Sequence, residues 1–450
     1  MSVPQIRLKT EGFRAINKAN IIIDGITVVA GENSSGKSTL SKLLYYLFKT
    51  ASNYEALVYD ELLDKLRNVY RFLDTALHEV SSFTGDRALR DELYNELRYL
   101  RKKNFLLENS DEPQAERWQV VQERWLAVIR RFSDVFNQYS EAKDKDRMTA
   151  RIKRLKLIAA DLLESGNIEI SESEFLPFDK IGKFVEYRFK EAKGKTKSRP
   201  NTLFIEALKN VFSGGELPKI FEVYEFEDPI VSLVNDHLKP PYSIANSIYI
   251  DTPMIIGVES SEIEYWDDLN ELLNKRGKSF FSEISQTISN EIIHGDVSVN
   301  DVNSLAVDNF SFKRADGSIF NLLDCATGVK SFAILQLLLK NGSLNDKTLL
   351  IIDEPESHLH PQWIIEYARL IVLLNKHAGI KFFIASHNPD MVSAIKYISA
   401  KEGVEDKLHF YLAAKIGDSY LYDYEHLGTE IDPIFGSFNI AIDRIKLYGV

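Results

Sequence analysis

Apolar positions along the chain change their spacing several times, and each change predicts a different kind of element. IRLKTEGF alternates at period two, and NIIID and ITVVA are short and apolar. LSKLLYYLF, after the glycine-containing stretch GENSSGKST, has helical spacing. The first fifty residues therefore predict strand, strand, strand, helix. From Ala51 to about Ala160 the apolar residues fall at three- and four-residue steps. Leu62, Leu66, Val69, Leu73 and Leu77 make one run, and Trp118, Val121, Trp125, Val128 and Phe132 another. Stripes of this kind belong to helices packing on one another, and the breakers SSFTGD and NSDEPQ argue against one long coiled coil.

Three short runs, NIEISES, FVEYRF and KIFEVYEF, then read as strands around a charged loop, KEAKGKTKSRP. NSIYIDTPMIIG predicts another apolar strand, followed by a polar helical stretch over 262–293. A β-meander follows, GDVSVN, LAVDNFSFKR and GSIFNL, with ADG as its turn. From Ala326 onward the pattern is α/β. A helix in KSFAILQLLLKNG ends at Gly342, and KTLLIID is a strand. PQWIIEYARLIVLLNKHAG is a helix and IKFFIAS a strand.

A chain of 450 residues with 44% hydrophobic and 27% charged residues has the material for two or three domains with a real core. Its net charge of −11 excludes a globally basic nucleic-acid binder, so any such contact needs a local patch. The basic stretch from Lys180 to Arg199 holds eight Lys or Arg against Glu186 and Glu191. It reads either as a phosphate contact or as a solvated loop. A single cysteine, Cys325, excludes an intramolecular disulfide and a multi-cysteine zinc site. With no signal-peptide pattern and no apolar run of membrane-spanning length, a cytoplasmic protein with no membrane partner is expected.

Chemistry concentrates at three strand ends. In GENSSGKST, residues Gly31, Asn33, Ser34, Ser35 and Gly36 form a loop between strand and helix. Its backbone N–H groups can cradle phosphate oxygens, aided by the positive end of the helix. Lys37 is placed to reach the β/γ-phosphates of a bound nucleotide and Ser38 to ligate Mg²⁺, with Thr39 at the α-phosphate. The apolar strand TLLIIDEPESHLHP ends in two acids: Asp353 for the metal, through water, and Glu354 for polarising the attacking water. FFIASHNPD brings His387 to the same sheet edge, where it can sense the γ-phosphate or orient the water. CATGVKS is a weaker element, a turn whose helix start offers N–H groups to an anion. His358 and His360 in ESHLH could suggest a metal pair, but two histidines without further ligands are a weak signal.

Together, GENSSGKST, ATGVKS, LLIIDEPESHLHP and IASHNPD resemble the Walker A, signature, Walker B with D-loop, and switch-histidine motifs of ABC-type ATPases. The similarity is greatest to the SMC/RecF/OLD-like branch, in which LKTEGFRAI resembles the opening strand. The resemblance covers about residues 3–49 and 245–395. It implies a P-loop ABC-type ATPase head of the α/β class, a mixed sheet with an antiparallel β lobe, interrupted by a mostly helical insertion. Residues 1–50 would be the first lobe, 51–160 the insertion, and 161–260 the remaining first-lobe strands with the basic loop. Residues 261–300 would be a helical linker and 301–450 the second lobe.

The resemblance also implies ATP with Mg²⁺, hydrolysis to ADP and phosphate, and a homo-oligomer in which two protomers sandwich two ATP molecules, with a hexamer as one higher form. Thr327, Gly328 and Lys330 would serve the partner's nucleotide. Two departures stand out. Cys325 and Ala326 occupy positions usually Leu and Ser, and no Q-loop glutamine is placed; both bear on the rate and tightness of closure. Only about 60 residues follow His387, without a glycine-flanked acidic cluster, so no nuclease activity is expected in the chain. The whole resembles the ATPase subunits of prokaryotic antiviral systems such as Septu and PARIS, which control an HNH-type or Toprim-type nuclease on a separate chain. A RecF-like DNA-repair clamp and a slowly hydrolysing nucleotide-bound scaffold are the alternatives.

Overall fold

Period-two burial in β1 (Ile6–Phe13) and β2 (Ile16–Ile23) and full burial in β3 (Ile26–Ala30) begin a ten-stranded mixed sheet in the computed structural model. The structure describes residues 6–84, 86–100, 114–140, 145–164, 176–212, 214–256, 262–277, 281–300 and 310–436. The run NIEISES lies outside them.

The remaining strands of the large sheet are β4 (Ile220–Glu225), β5 (Asp228–Ser232), β6 (Asn246–Ile250), β10 (Thr348–Asp353), β11 (Lys381–Ser386), β12 (Leu408–Lys415) and β13 (Tyr422–Gly428). Their order is β5-β4-β1-β2-β13-β12-β3-β11-β10-β6. β12, β3, β11, β10 and β6 pair in parallel, whereas β5, β4, β1 and β2 form an antiparallel lobe. β7 (Gly295–Val299), β8 (Phe310–Arg314) and β9 (Ile319–Asn321) make a separate antiparallel sheet, the expected meander. The fold is the α/β head that the motifs imply.

Parallel strands are buried on both faces, so ITVVA, TLLIID and KFFIAS are buried at every position and mostly apolar. One parity of these strands, including Val28, Ala30, Leu350, Ile352, Phe382 and Ile384, joins a core with the helices Thr327–Lys340, Pro361–Ala378 and Pro389–Glu402. The helix after the glycine loop, α1 (Lys37–Ser52), packs on β6, β10 and β11. Pro361 at its first turn and Gly379 (φ 65°) past its end delimit the helix Pro361–Ala378.

The chain divides into two compact units, Met1–Ser52 with Pro200–Val450, and Asn53–Arg199. The second holds helices and no strand among its described residues, with Phe72, Trp118, Trp125, Phe132 and Phe189 among its buried side chains. FVEYRF and the basic run after it depart from expectation. Both lie in one helix, Phe178–Ser198, rather than in a strand and a loop. Ile181, Phe184, Val185, Phe189, Ala192 and Thr196 are buried at helical steps. A six-residue window hides that period because Phe184 and Val185 are neighbours on one helix face. KIFEVYEF does supply β4.

Candidate functional site

Register brings the three motifs to one sheet edge. Ser386 of β11 pairs with Ala30 of β3, and Asp353 of β10 pairs with Ala385 of β11. Since the strands are parallel, the segments after Ala30, Asp353 and Ser386 leave the sheet on the same side, where α/β folds bind ligands.

The loop from Gly31 turns through Ser34 (φ 66°) and Gly36 (φ 96°) into α1. A Cβ at Gly36 would stand 2.9 Å from Ile16 Cγ1 and 3.3 Å from the Tyr424 hydroxyl, so only glycine fits this approach. Tyr424 donates to the Ser35 carbonyl at 2.9 Å and anchors the loop to β13. Asn33, Ser34 and Ser38 are exposed and Thr39 half-buried, while Ser35 is buried with its hydroxyl unpartnered. Lys37 is buried, its ammonium donating to the carbonyls of Gly31 (2.9 Å) and Glu32 (2.8 Å). Burial pushes its pKa down, opposed by the nearby Glu354, Asp353, Glu356 and Glu32. An amine folded onto loop carbonyls beside a helix N-terminus is a cation waiting for an anion.

Asp353 is buried at the end of β10. One carboxylate oxygen accepts from Ser41 of α1 and the other from the Tyr249 hydroxyl at 2.7 Å. Desolvation pushes its pKa up, countered by those bonds and one from Ser38. Ser38 and Asp353 thus lie together as an oxygen pair suited to Mg²⁺, which keeps several waters and needs few protein ligands. Among the described residues no cluster of three or more His, Cys, Asp or Glu forms a protein-only metal cage. His360 instead caps the helix Pro361–Ala378 by accepting from the Gln362 N–H.

Glu354 stands in the left-handed region (φ 47°), its N–H donating to the Ala385 carbonyl at 2.8 Å. Such a conformation costs about 1–3 kcal/mol and gathers at functional sites. Its side chain is 43% exposed, and its Oε1 lies 3.4 Å from His387 Nδ1. Asp353, Glu354 and Ser331, the last in the helix Thr327–Lys340, line one cleft together with Asp251 and Tyr367.

Thr327, Gly328 and Lys330 belong to a different element, the first turn of that helix, whose N-cap is Ala326 without a side-chain cap bond. Lys330 is buried, and a Cβ at Gly328 would come within 2.6 Å of the Trp363 ring.

Four side chains escaped the sequence reading: Ser41, Tyr249, Asp251 and Glu356. NSIYID does end in an acid, the same signal that marked Asp353, and Asp251 accepts from Tyr265 and Trp266, each at 2.8 Å. Ser41 and Tyr249 carry no motif signal, since they act only through Asp353.

A phosphate loop, a strand-end acid pair and a histidine converging on one parallel-sheet edge define a P-loop ATPase. The chain matches the AAA ATPase domain over residues 1–392 and belongs to that family. No curated protein matches it. Similar solved structures include the Smc head domain with an extended coiled coil bound to the C-terminal domain of ScpA, from Pyrococcus furiosus. It is 10% identical, with 98% of each chain covered and a TM-score of 0.32. Another is the SMC head domain from Thermotoga maritima, 11% identical over 93% of this chain and 97% of that one, with a TM-score of 0.33. The chain is thus an ATP-binding ATPase by family, and no described helix is long and apolar enough to cross a membrane.

Proposed function

We propose that the protein is an ABC-type ATP-hydrolysing switch. The observation that carries this is the convergence of Lys37, Asp353, Glu354 and His387 on one edge. Gly31, Asn33, Ser34, Ser35, Gly36, Lys37, Ser38 and Thr39 would bind the phosphates, and Ser38 and Asp353 would hold Mg²⁺, Asp353 through water. Bound Mg²⁺ would neutralise phosphate charge as it develops. Glu354 accepts a proton from the attacking water, and His387 orients that water or senses the γ-phosphate. Removing the Glu354 carboxylate while keeping its shape should stop turnover and spare binding. Glu354→Gln is expected to lower ATP turnover by about 100-fold or more with nucleotide affinity retained. Turnover equal to the unmodified protein would remove Glu354 from this role.

Closure would join two protomers, with Thr327, Gly328 and Lys330 of one facing the nucleotide of the other. Thr327 begins a helix and Lys330 is buried in its first turn, which gives that turn both N–H groups and a charge despite Ala326. The resemblance of the motifs supports a further reading, that this switch is the sensor ATPase of an anti-phage system and restrains or releases a nuclease on another chain. Co-purification with an HNH-type or Toprim-type protein encoded next to it would support that reading. Neighbouring replication genes would favour the repair clamp.

A further inference from the structure

We propose that Glu356 is a positioning residue for His387: its carboxylate holds the proton on Nδ1 and so leaves Glu354 free to act as base. This rests on the roles just given to Glu354 and His387.

His387 Nδ1 stands between two carboxylates, 3.4 Å from Glu354 Oε1 and 3.4 Å from Glu356 Oε1. Their surroundings differ sharply. The Glu354 side chain is 43% exposed, that of Glu356 only 5%. Glu356 Oε1 is already pinned to the end of β11, accepting from the Ser386 hydroxyl at 2.9 Å and from the His387 N–H at 3.1 Å. The main chain holds it too, since Leu359 N–H donates to the Glu356 carbonyl at 3.1 Å. A carboxylate so fixed cannot follow a substrate, but it can fix a ring.

Two buried atoms here lack any hydrogen-bond partner, Glu356 Oε2 and His387 Nδ1. Unpaired buried polar atoms are costly, and a small rotation of the exposed imidazole toward Glu356 would satisfy Nδ1. Burial also pushes the Glu356 carboxyl pKa up, which makes its carboxylate a stronger acceptor for the Nδ1 proton than an exposed one. The physical logic is that of a buried acid holding a catalytic imidazole in one tautomer and orientation. Had Glu354 been the partner, the base would be occupied by the proton of His387 when it must take one from water. With Glu356 as partner, one proton stays on Nδ1 and the water's proton goes to Glu354.

Histidine-selective ¹⁵N NMR of the nucleotide-free full chain tests the pairing, with His387→Ala to assign the signal. Glu356→Gln keeps the side-chain shape and removes the charge. It should move the His387 Nδ1 shift toward the unprotonated range, whereas Glu354→Gln should leave it in place. In turnover assays Glu356→Gln should lower kcat about tenfold or more while KM for ATP stays within about threefold. The proposal is overturned by unchanged His387 shifts in Glu356→Gln, or by a change only in Glu354→Gln. It is equally overturned by a kcat loss that merely tracks a loss of folded protein. The nitrogen shifts need no ATP turnover, so a wild-type chain that fails to hydrolyse ATP would sink the functional reading and leave this pairing to be judged by NMR.

Discussion

Lys37 shows how a residue's job follows from where its chain folds. It is buried, that burial pushes its pKa down against the pull of nearby carboxylates, and its hydrogen bonds go to two carbonyls of its own loop. Those bonds are the ones a phosphate would replace. Lys37→Ala is therefore expected to weaken ATP binding by about 100-fold or more in calorimetric titration, at little cost to melting temperature. Unchanged affinity would mean that the loop binds phosphate without its cation. Gly36 is the opposite case, a residue needed for shape. Its φ of 96° and the 2.9 Å approach to Ile16 leave no room for a methyl group. At this scale the sequence was most informative. Lys37, Asp353 and Glu354 stand at motif spacings that their chemistry requires. Ser41, Tyr249 and Glu356 were hidden, because what they touch depends on strand register that no local pattern encodes.

At the scale of elements, two contacts invite measurement. The helix Thr327–Lys340 meets the helix Pro361–Ala378 where Gly328 lies against Trp363. An alanine there would bring Cβ to 2.6 Å from two ring carbons, and a ring cannot bend aside like a lysine tip. Gly328→Ala should cost about 1–3 kcal/mol in denaturant unfolding, the usual penalty of overpacking. A cost near zero would show that Trp363 has somewhere to go.

The β12–β13 hairpin carries His409, whose pKa burial, helped by the nearby His426 ring at 5.5 Å between centroids, pushes down to about 4. The unfolded chain takes up this proton near the ordinary value of 6.5, the folded chain only near 4. The stability that a neutral His409 allows is thus fully present above 6.5 and lost as pH falls toward 4. Because the ring is half-buried, about 1–2 kcal/mol is the expected loss. His409→Gln should flatten that part of the stability–pH curve, as urea unfolding at several pH values would show.

Element types were legible where the apolar period ran long. ITVVA, NSIYI, TLLIID and KFFIAS and the helix after Gly36 announced themselves, and so did the meander, whereas the parallel strand Leu408–Lys415 did not. FVEYRF did not, because two buried neighbours and a charged flank mimic a strand over six residues, while the helix emerges only over twenty.

For the molecule as a whole, the basic stretch loses much of its standing as a nucleic-acid contact once folded. Lys195 pairs with Glu61, Lys193 with Gln122 and Arg188 with Glu191, all within the helical unit. Lys183, Lys190 and Lys197 remain exposed at seven-residue steps. Three lysines would give only a shallow salt dependence, a slope near −0.9 per phosphate contact. Duplex DNA affinity is therefore expected not to rise with ATP in fluorescence anisotropy. An ATP-dependent rise that Lys183→Glu with Lys190→Glu abolishes would favour the clamp.

A second protomer facing the first turn of Thr327–Lys340 would leave no mark on local periodicity. The switch is tested most directly by the mass of the Glu354→Gln protein, measured by sedimentation with and without Mg·ATP. A nucleotide-free species that doubles its mass when ATP binds, and stays doubled because it cannot hydrolyse, is the expected result. An unchanged mass with ATP demonstrably bound would contradict ATP-driven closure of two protomers.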